Sequence, residues 1–234
     1  MVKKMKSLLK NAKIYDGTGA EAFVGDVLIE DDKIADVAEK IEAEADEVID
    51  LTGKSLSSGF IDAHSHNDWF AIKNNPLPYF EPFIRQGITT FITGNCGLSA
   101  TGFNNGCKNV DKMGGGLFFY HDTTGVYGET DEYFAAIDGN SPCNIASLVG
   151  HCSARAAVAG YENRKLTEDE EKQMLDILER ALQNGAAGIS LGLMYEPGVY
   201  ADIYELKKVA ALCIKYNKPL TVHARALSAV SIHV

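Results

Sequence analysis

Four of the six histidines in this 234-residue chain stand where a run of apolar residues stops. His64 and His66 follow Phe60-Ile61, His151 follows Val149-Gly150, and His223 follows Thr221-Val222. Cys96 holds the same kind of position in Thr93-Gly94-Asn95-Cys96-Gly97. Imidazole and thiolate are the ligands that zinc and its neighbours prefer, so the residue types suggest metal chemistry. Two histidines two apart on a strand project to one side, about 6–7 Å apart along it, and can share a site. The glycines around Cys96 leave its sulfur sterically open and let the backbone turn sharply. Each residue alone also has a plainer reading, as a hydrogen-bonded surface histidine or as a small apolar residue of a buried strand. Their common placement at strand ends, where barrel enzymes carry their chemistry, favours the shared site.

The elements that must position them can be read from periodicity. From Leu8 to about Leu56 short strands alternate with turn chemistry: a run through Ile14-Tyr15, the turn Asp16-Gly17-Thr18-Gly19, then Val27 to Ile29, Lys33 to Val37 and Val48-Ile49. This predicts a small β-sandwich module over residues 1–56. Beyond it, apolar strands alternate with amphipathic helices, which is the pattern of a parallel sheet with crossover helices. Strands are expected at Phe60–Asp62, Ile88–Thr93, Asn144–Val149, Ala186–Ser190 and Pro219–Val222. Helices are expected at Pro76–Gln86, at Glu168–Asn184 behind a Thr167/Glu170 capping box, and at Ile203–Tyr216 behind Asp202. Between Leu98 and Ser141 the periodicity fails, and Gly114-Gly115-Gly116 suggests an insertion over about 98–141 that helps to build the mouth of a site.

Composition limits the function classes. With 46% hydrophobic residues the chain can bury a substantial core. Its 32 acidic against 22 basic residues give a net charge of −10, which repels phosphate backbones and anionic lipid, so no nucleic-acid and no membrane partner is expected. Neither a signal peptide nor an apolar stretch of about 20 residues is seen, and a cytoplasmic location follows as the default. The cysteines at 96, 107, 143, 152 and 213 are odd in number and irregular in spacing, which predicts reduced thiols.

Taken together, the run Gly59–His66, the Thr93–Gly97 motif, Gly150-His151 with Arg155, the stretch Gly185–Pro197 and His223-Ala224-Arg225 resemble the N-acyl-D-amino-acid deacylases (D-aminoacylases) of the metal-dependent amidohydrolase superfamily. The Thr-Gly-Asn-Cys-Gly motif is what points to this family. The resemblance implies an α/β fold, a (β/α)8 barrel of which about five strands are present in residues 57–234, beside the small β module. It also implies zinc, with Cys96 and His223 in one tight position and His64 and His66 serving a second, weaker one. Tyr195 would hydrogen-bond the carbonyl of a small N-acyl amino acid substrate, and His151 and Arg155 would bind that substrate. The aspartate that acts as general base in the family has no counterpart here.

Three positions depart from the family pattern: Asn67 where an acidic residue is usual, Ser58 for proline and Cys152 for glycine. His233 follows His223 too closely to be the next strand-end ligand, and the 179 residues from Leu56 onward fall short of the about 250 of a typical barrel. A truncated barrel is therefore expected. Two other readings stay open: an amidohydrolase acting on cyclic amides or D-residue dipeptides, and a non-catalytic half-barrel whose open strand edges drive self-association.

Overall fold

The computed structural model describes residues 5–103, 109, 112 and 127–226. It divides into two units, with the boundary between Gly59 and Phe60.

In the first unit, β1 (Lys6–Tyr15), β2 (Phe23–Glu30), β3 (Lys33–Ala38), β4 (Glu47–Asp50) and β5 (Ser55–Ser57) form one sheet in the order β3-β2-β1-β4, with β5 also on β1. Within this β module, β4 and β5 both join β1 in parallel. The β1–β2 ladder shifts register between Leu9 and Ala12, where Asn11 takes φ +61°. Buried Asp26 fastens that bulge by accepting from the backbone N–H groups of Asn11 and Ile41, each at 3.0 Å.

The second unit carries two parallel three-stranded sheets: β6 (Phe60–Asp62), β7 (Ile88–Thr93) and β8 (Asn144–Ser147), then β9 (Val149–Gly150), β10 (Ile189–Gly192) and β11 (Leu220–His223). The single strand expected over Asn144–Val149 is split at Leu148 into β8 and β9. Leu148 N–H donates to Thr93 O, and Val149 N–H to Gly188 O, both at 2.9 Å, so one chain segment serves both sheets.

Helices cross between these strands: α1 (Asp68–Ala71), α2 (Leu77–Ile84), α3 (Thr130–Ile137), α4 (His151–Ala159), α5 (Glu168–Gln183) and α6 (Ile203–Tyr216). The capping box of α5 is formed by Thr167 and Glu170, and Met174, Ile177, Leu178, Ala181 and Leu182 are its buried stripe. These side chains meet Val149, Ile189, Leu191, Val209 and Cys213 in one core cluster. A second cluster packs Trp69, Phe80, Phe91, Phe103 and Tyr133.

The stretch 98–141 differs from its expected role as an insertion outside the core. Leu98, Ala100, Phe103, Tyr133 and Ile137 are all buried in that second cluster, and α3 is the crossover helix before β8. Gly114-Gly115-Gly116 lies outside the described residues. Among the described residues Cys96, Cys143, Cys152 and Cys213 are free thiols, and no helix is long and apolar enough to cross a membrane.

Candidate metal site

Strand β6 ends at Asp62, so His64 and His66 stand in the loop just past it and not on the strand. Local hydrogen bonds shape that loop. The Asp62 carboxylate accepts from His64 N–H at 3.0 Å, and Ser65 N–H donates to Ile92 O at 3.0 Å, tying the loop to β7. The two imidazoles meet edge to face with centroids 6.1 Å apart.

Cys96 lies in the loop after β7, at φ +57°, between Gly94 (φ +69°) and Gly97 (φ +74°). A non-glycine residue in this left-handed region is uncommon and must be held there by its surroundings. The turn is pressed against neighbouring backbone: a Cβ on Gly94 would come within 2.1 Å of Leu148 O, and one on Gly97 within 2.6 Å of Gly192 N. The Asn95 side chain donates to Ile92 O at 3.0 Å and Ser65 O at 3.4 Å, strapping the cysteine loop to the histidine loop. Sequence reasoning assigned no role to Asn95, although it lies inside the Thr-Gly-Asn-Cys-Gly motif.

These loops bring sulfur and imidazoles together. Cys96 Sγ is 3.4 Å from His64 Nε2 and 3.4 Å from Nδ1 of His223, the last residue of β11. The ligand atoms of His64, His66 and Cys96 all lie within 4.8 Å of one another. Zinc–sulfur and zinc–nitrogen bonds of about 2.3 and 2.0–2.1 Å set a tetrahedral S···N edge of roughly 3.5 Å. Both 3.4 Å separations match that edge, and His64, His66 and Cys96 form a three-donor group of the chemistry zinc prefers, with His223 beside Cys96 but outside that group. Burial, followed by the charge of nearby His64, holds His66 below its ordinary value and keeps its imidazole neutral. Burial alone raises the Cys96 thiol above its ordinary value.

Tyr195 borders the cluster. Its hydroxyl is 3.3 Å from His223 Nδ1, and the two rings pack edge to face at 4.7 Å. Tyr195 precedes the cis Glu196-Pro197 bond and the 3₁₀ turn Gly198–Tyr200. Arg225 reaches back from beyond β11 and donates to Val199 O and Ala201 O, at 2.6 and 2.5 Å, fixing that turn from the His223 side.

The structure does not bring His151 and Arg155 into this cluster. Both are fully buried on the first turns of α4 and face Glu205 of α6. His151 Nε2 is 2.7 Å from Glu205 Oε1, Arg155 Nε donates to the same oxygen at 3.1 Å, and an Arg155 terminal nitrogen donates to Arg164 O at 2.8 Å. Burial pushes the Glu205 carboxyl up, but the hydrogen bond and charge of His151 and the charge of Arg155 outweigh it and leave it below its ordinary value. The burial of Glu205 has no signature in the sequence.

A model of the amidohydrolase family matches residues 47–221. An N-acyl-D-glutamate deacylase of Alcaligenes xylosoxydans xylosoxydans is 30% identical over 226 residues, which cover 96% of this chain and 45% of that protein. A D-aminoacylase of the same organism is 30% identical over 92% of this chain and 42% of its own length. The chain therefore spans somewhat under half the length of these curated relatives. Among solved structures, the N-acyl-D-glutamate deacylase of Bordetella bronchiseptica, complexed with zinc and a phosphonate mimic of the tetrahedral intermediate, superposes with a TM-score of 0.82 at 32% identity. That match covers 96% of this chain and 46% of the other.

Proposed function

Because the chain belongs to the amidohydrolase family, we propose that its strand-end cluster holds zinc for hydrolysis of the amide bond of N-acyl-D-amino acids. The observation that carries the reading is the position of Cys96 Sγ, 3.4 Å from one imidazole of the β6 loop and 3.4 Å from the imidazole ending β11. In this reading Cys96 and His223 hold the tight position, and His64 and His66 serve a second, weaker one. The chemistry that zinc supplies when bound is Lewis acidity towards the scissile carbonyl and towards water. Tyr195 donates its phenolic hydrogen to the carbonyl oxygen of the substrate, where negative charge develops in the transition state. Two features support that role: the hydroxyl lies at the rim of the cluster, and burial raises its pKa above the ordinary value, so it stays protonated. The D-amino-acid part rests on the relatives' names, which specify D-aminoacylase and N-acyl-D-glutamate deacylase.

The test is release of free amine from N-acetyl-D-amino acids by the zinc-loaded protein as its native source produces it. Release should stop on chelation and fall at least 100-fold in Cys96→Ser. A second reading, hydrolysis of cyclic amides, expects a lysine bridging two metals at a strand end, and none of the five strand ends read from the sequence carries one. Turnover of a hydantoin without release from any N-acyl-D-amino acid would replace the first reading with the second.

A further inference from the structure

Cys96 is held in a conformation that an L-residue rarely adopts, and the group that holds it comes from another strand. Ser190 of β10 is fully buried. Its hydroxyl donates to Gly94 O at 2.5 Å and accepts from Gly97 N–H at 2.9 Å. One side chain thus closes the Gly94-Asn95-Cys96-Gly97 turn across its mouth, using its single donor and an acceptor lone pair. We propose that Ser190 is a positioning residue for metal binding, which fixes the left-handed Cys96 turn so that its sulfur already stands between the two imidazoles. The inference rests on the metal-site reading above.

The surroundings make this hydroxyl difficult to replace. Gly94 and Gly97 both have positive φ, and each already touches neighbouring backbone more closely than a Cβ could. The two glycines therefore cannot carry side chains that would stiffen the turn. Ser190 is paired in the ladder with Gly150 of β9 and Thr221 of β11, so its own place is set by strands on both sides. Two residues after Thr221, β11 ends in His223, so the strand that orients the hydroxyl also delivers a ligand. Without the hydroxyl, Gly94 O and Gly97 N–H lose a buried partner and Cys96 loses the restraint that opposes its return to negative φ. Groups that orient metal ligands typically change metal affinity about 10- to 100-fold when removed.

The experiment titrates cobalt(II), a coloured substitute for zinc, into the 234-residue chain and follows thiolate-to-cobalt absorption in the near ultraviolet. Four proteins are compared: the unaltered chain, Cys96→Ser, Ser190→Ala and Ser147→Ala. Ser147 is equally buried, and its hydroxyl donates only to Leu148 O, so its removal controls for general loss of packing. The unaltered chain and Ser147→Ala should show the thiolate band, and Cys96→Ser should lack it. Ser190→Ala should bind cobalt about 10- to 100-fold more weakly with a weakened band, while its far-ultraviolet circular dichroism matches that of Ser147→Ala. Affinity and band equal to those of the unaltered chain in Ser190→Ala would overturn the positioning role and leave the metal site standing. No thiolate band in the unaltered chain would overturn the metal site itself, and the positioning role with it.

Discussion

Replacing Glu205 with alanine separates a structural network from a substrate-binding one. The carboxylate is 5% exposed and is the shared partner of His151 and Arg155, both of which are fully buried. Its removal strands a buried guanidinium that retains only its hydrogen bond to Arg164 O among the contacts described, and it leaves His151 Nε2 without an acceptor. Breaking a buried ion pair from one side costs about 3–5 kcal/mol. With a urea slope of about 2 kcal/mol/M, the unfolding midpoint of the second unit should fall by roughly 1.5–2.5 M. Trp69, the only tryptophan in the chain and 1% exposed in that unit's core, reports the transition by fluorescence. The pH dependence has a fixed sign. The folded Glu205 carboxyl lies below its ordinary 4.5, so its stabilising contribution is complete above that value and disappears as pH falls through the lower folded value. Glu205→Gln keeps an acceptor but not the charge, so its deficit against the unaltered chain should be full at pH 7 and close in acid below about 4.5. A midpoint change under about 0.3 M at pH 7 would refute the reasoning and return His151 and Arg155 to the role of substrate ligands.

Three further outcomes follow from the same coordinates. Zinc at 100 times its dissociation constant should stabilise the chain by about 2.7 kcal/mol, seen as a raised melting temperature that chelator or Cys96→Ala abolishes. Phe91→Ala should cost about 3–5 kcal/mol in urea unfolding, because Phe91 is fully buried with the Phe80 and Phe83 rings each packed edge to face at 5.4 Å. Asp202→Ala should cost about 1 kcal/mol and speed amide exchange at Tyr204 and Glu205, whose N–H groups both donate to the Asp202 carboxylate at 3.0 Å.

What could be read in advance depended on whether a residue's neighbours in the chain are also its physical partners. Helix α5 was legible because its capping box, its apolar stripe and the glycine behind it are all local signals. Helix α4 was not, because it starts from Gly150 with no capping side chain and buries His151, Ser153 and Arg155 alongside its alanines. Its register is set by tertiary bonds instead: Ser153 N–H donates to Gly97 O, and Ser153 Oγ to Ser99 O, both at 3.1 Å. Helix α3 was hidden in the same way, since Tyr133 and Ile137 look like scattered residues of a loop until the second core cluster encloses them.

The site divides along the same line, and the division bears on how it functions. Strand ends were legible, so His64, His66, Cys96 and His223 could be named from the places where apolar runs stop. The groups that aim them were not, because Asn95, Ser190 and Arg225 act on backbone atoms 3 to 96 residues away. A cysteine read from its spacing alone is equally compatible with a core thiol pointing anywhere. The left-handed turn, closed by Ser190 and strapped by Asn95, removes that freedom and leaves the sulfur 3.4 Å from an imidazole of the β6 loop and 3.4 Å from the imidazole ending β11. Burial at the same place raises the Cys96 thiol above its ordinary value, so a cation held there would have to displace its proton. A sulfur that was merely packed would need no such orientation. The backbone cost of the turn is offset by the bonds from Ser190 and Asn95, and a metal bound where the sulfur aims, as proposed above, would add to that offset.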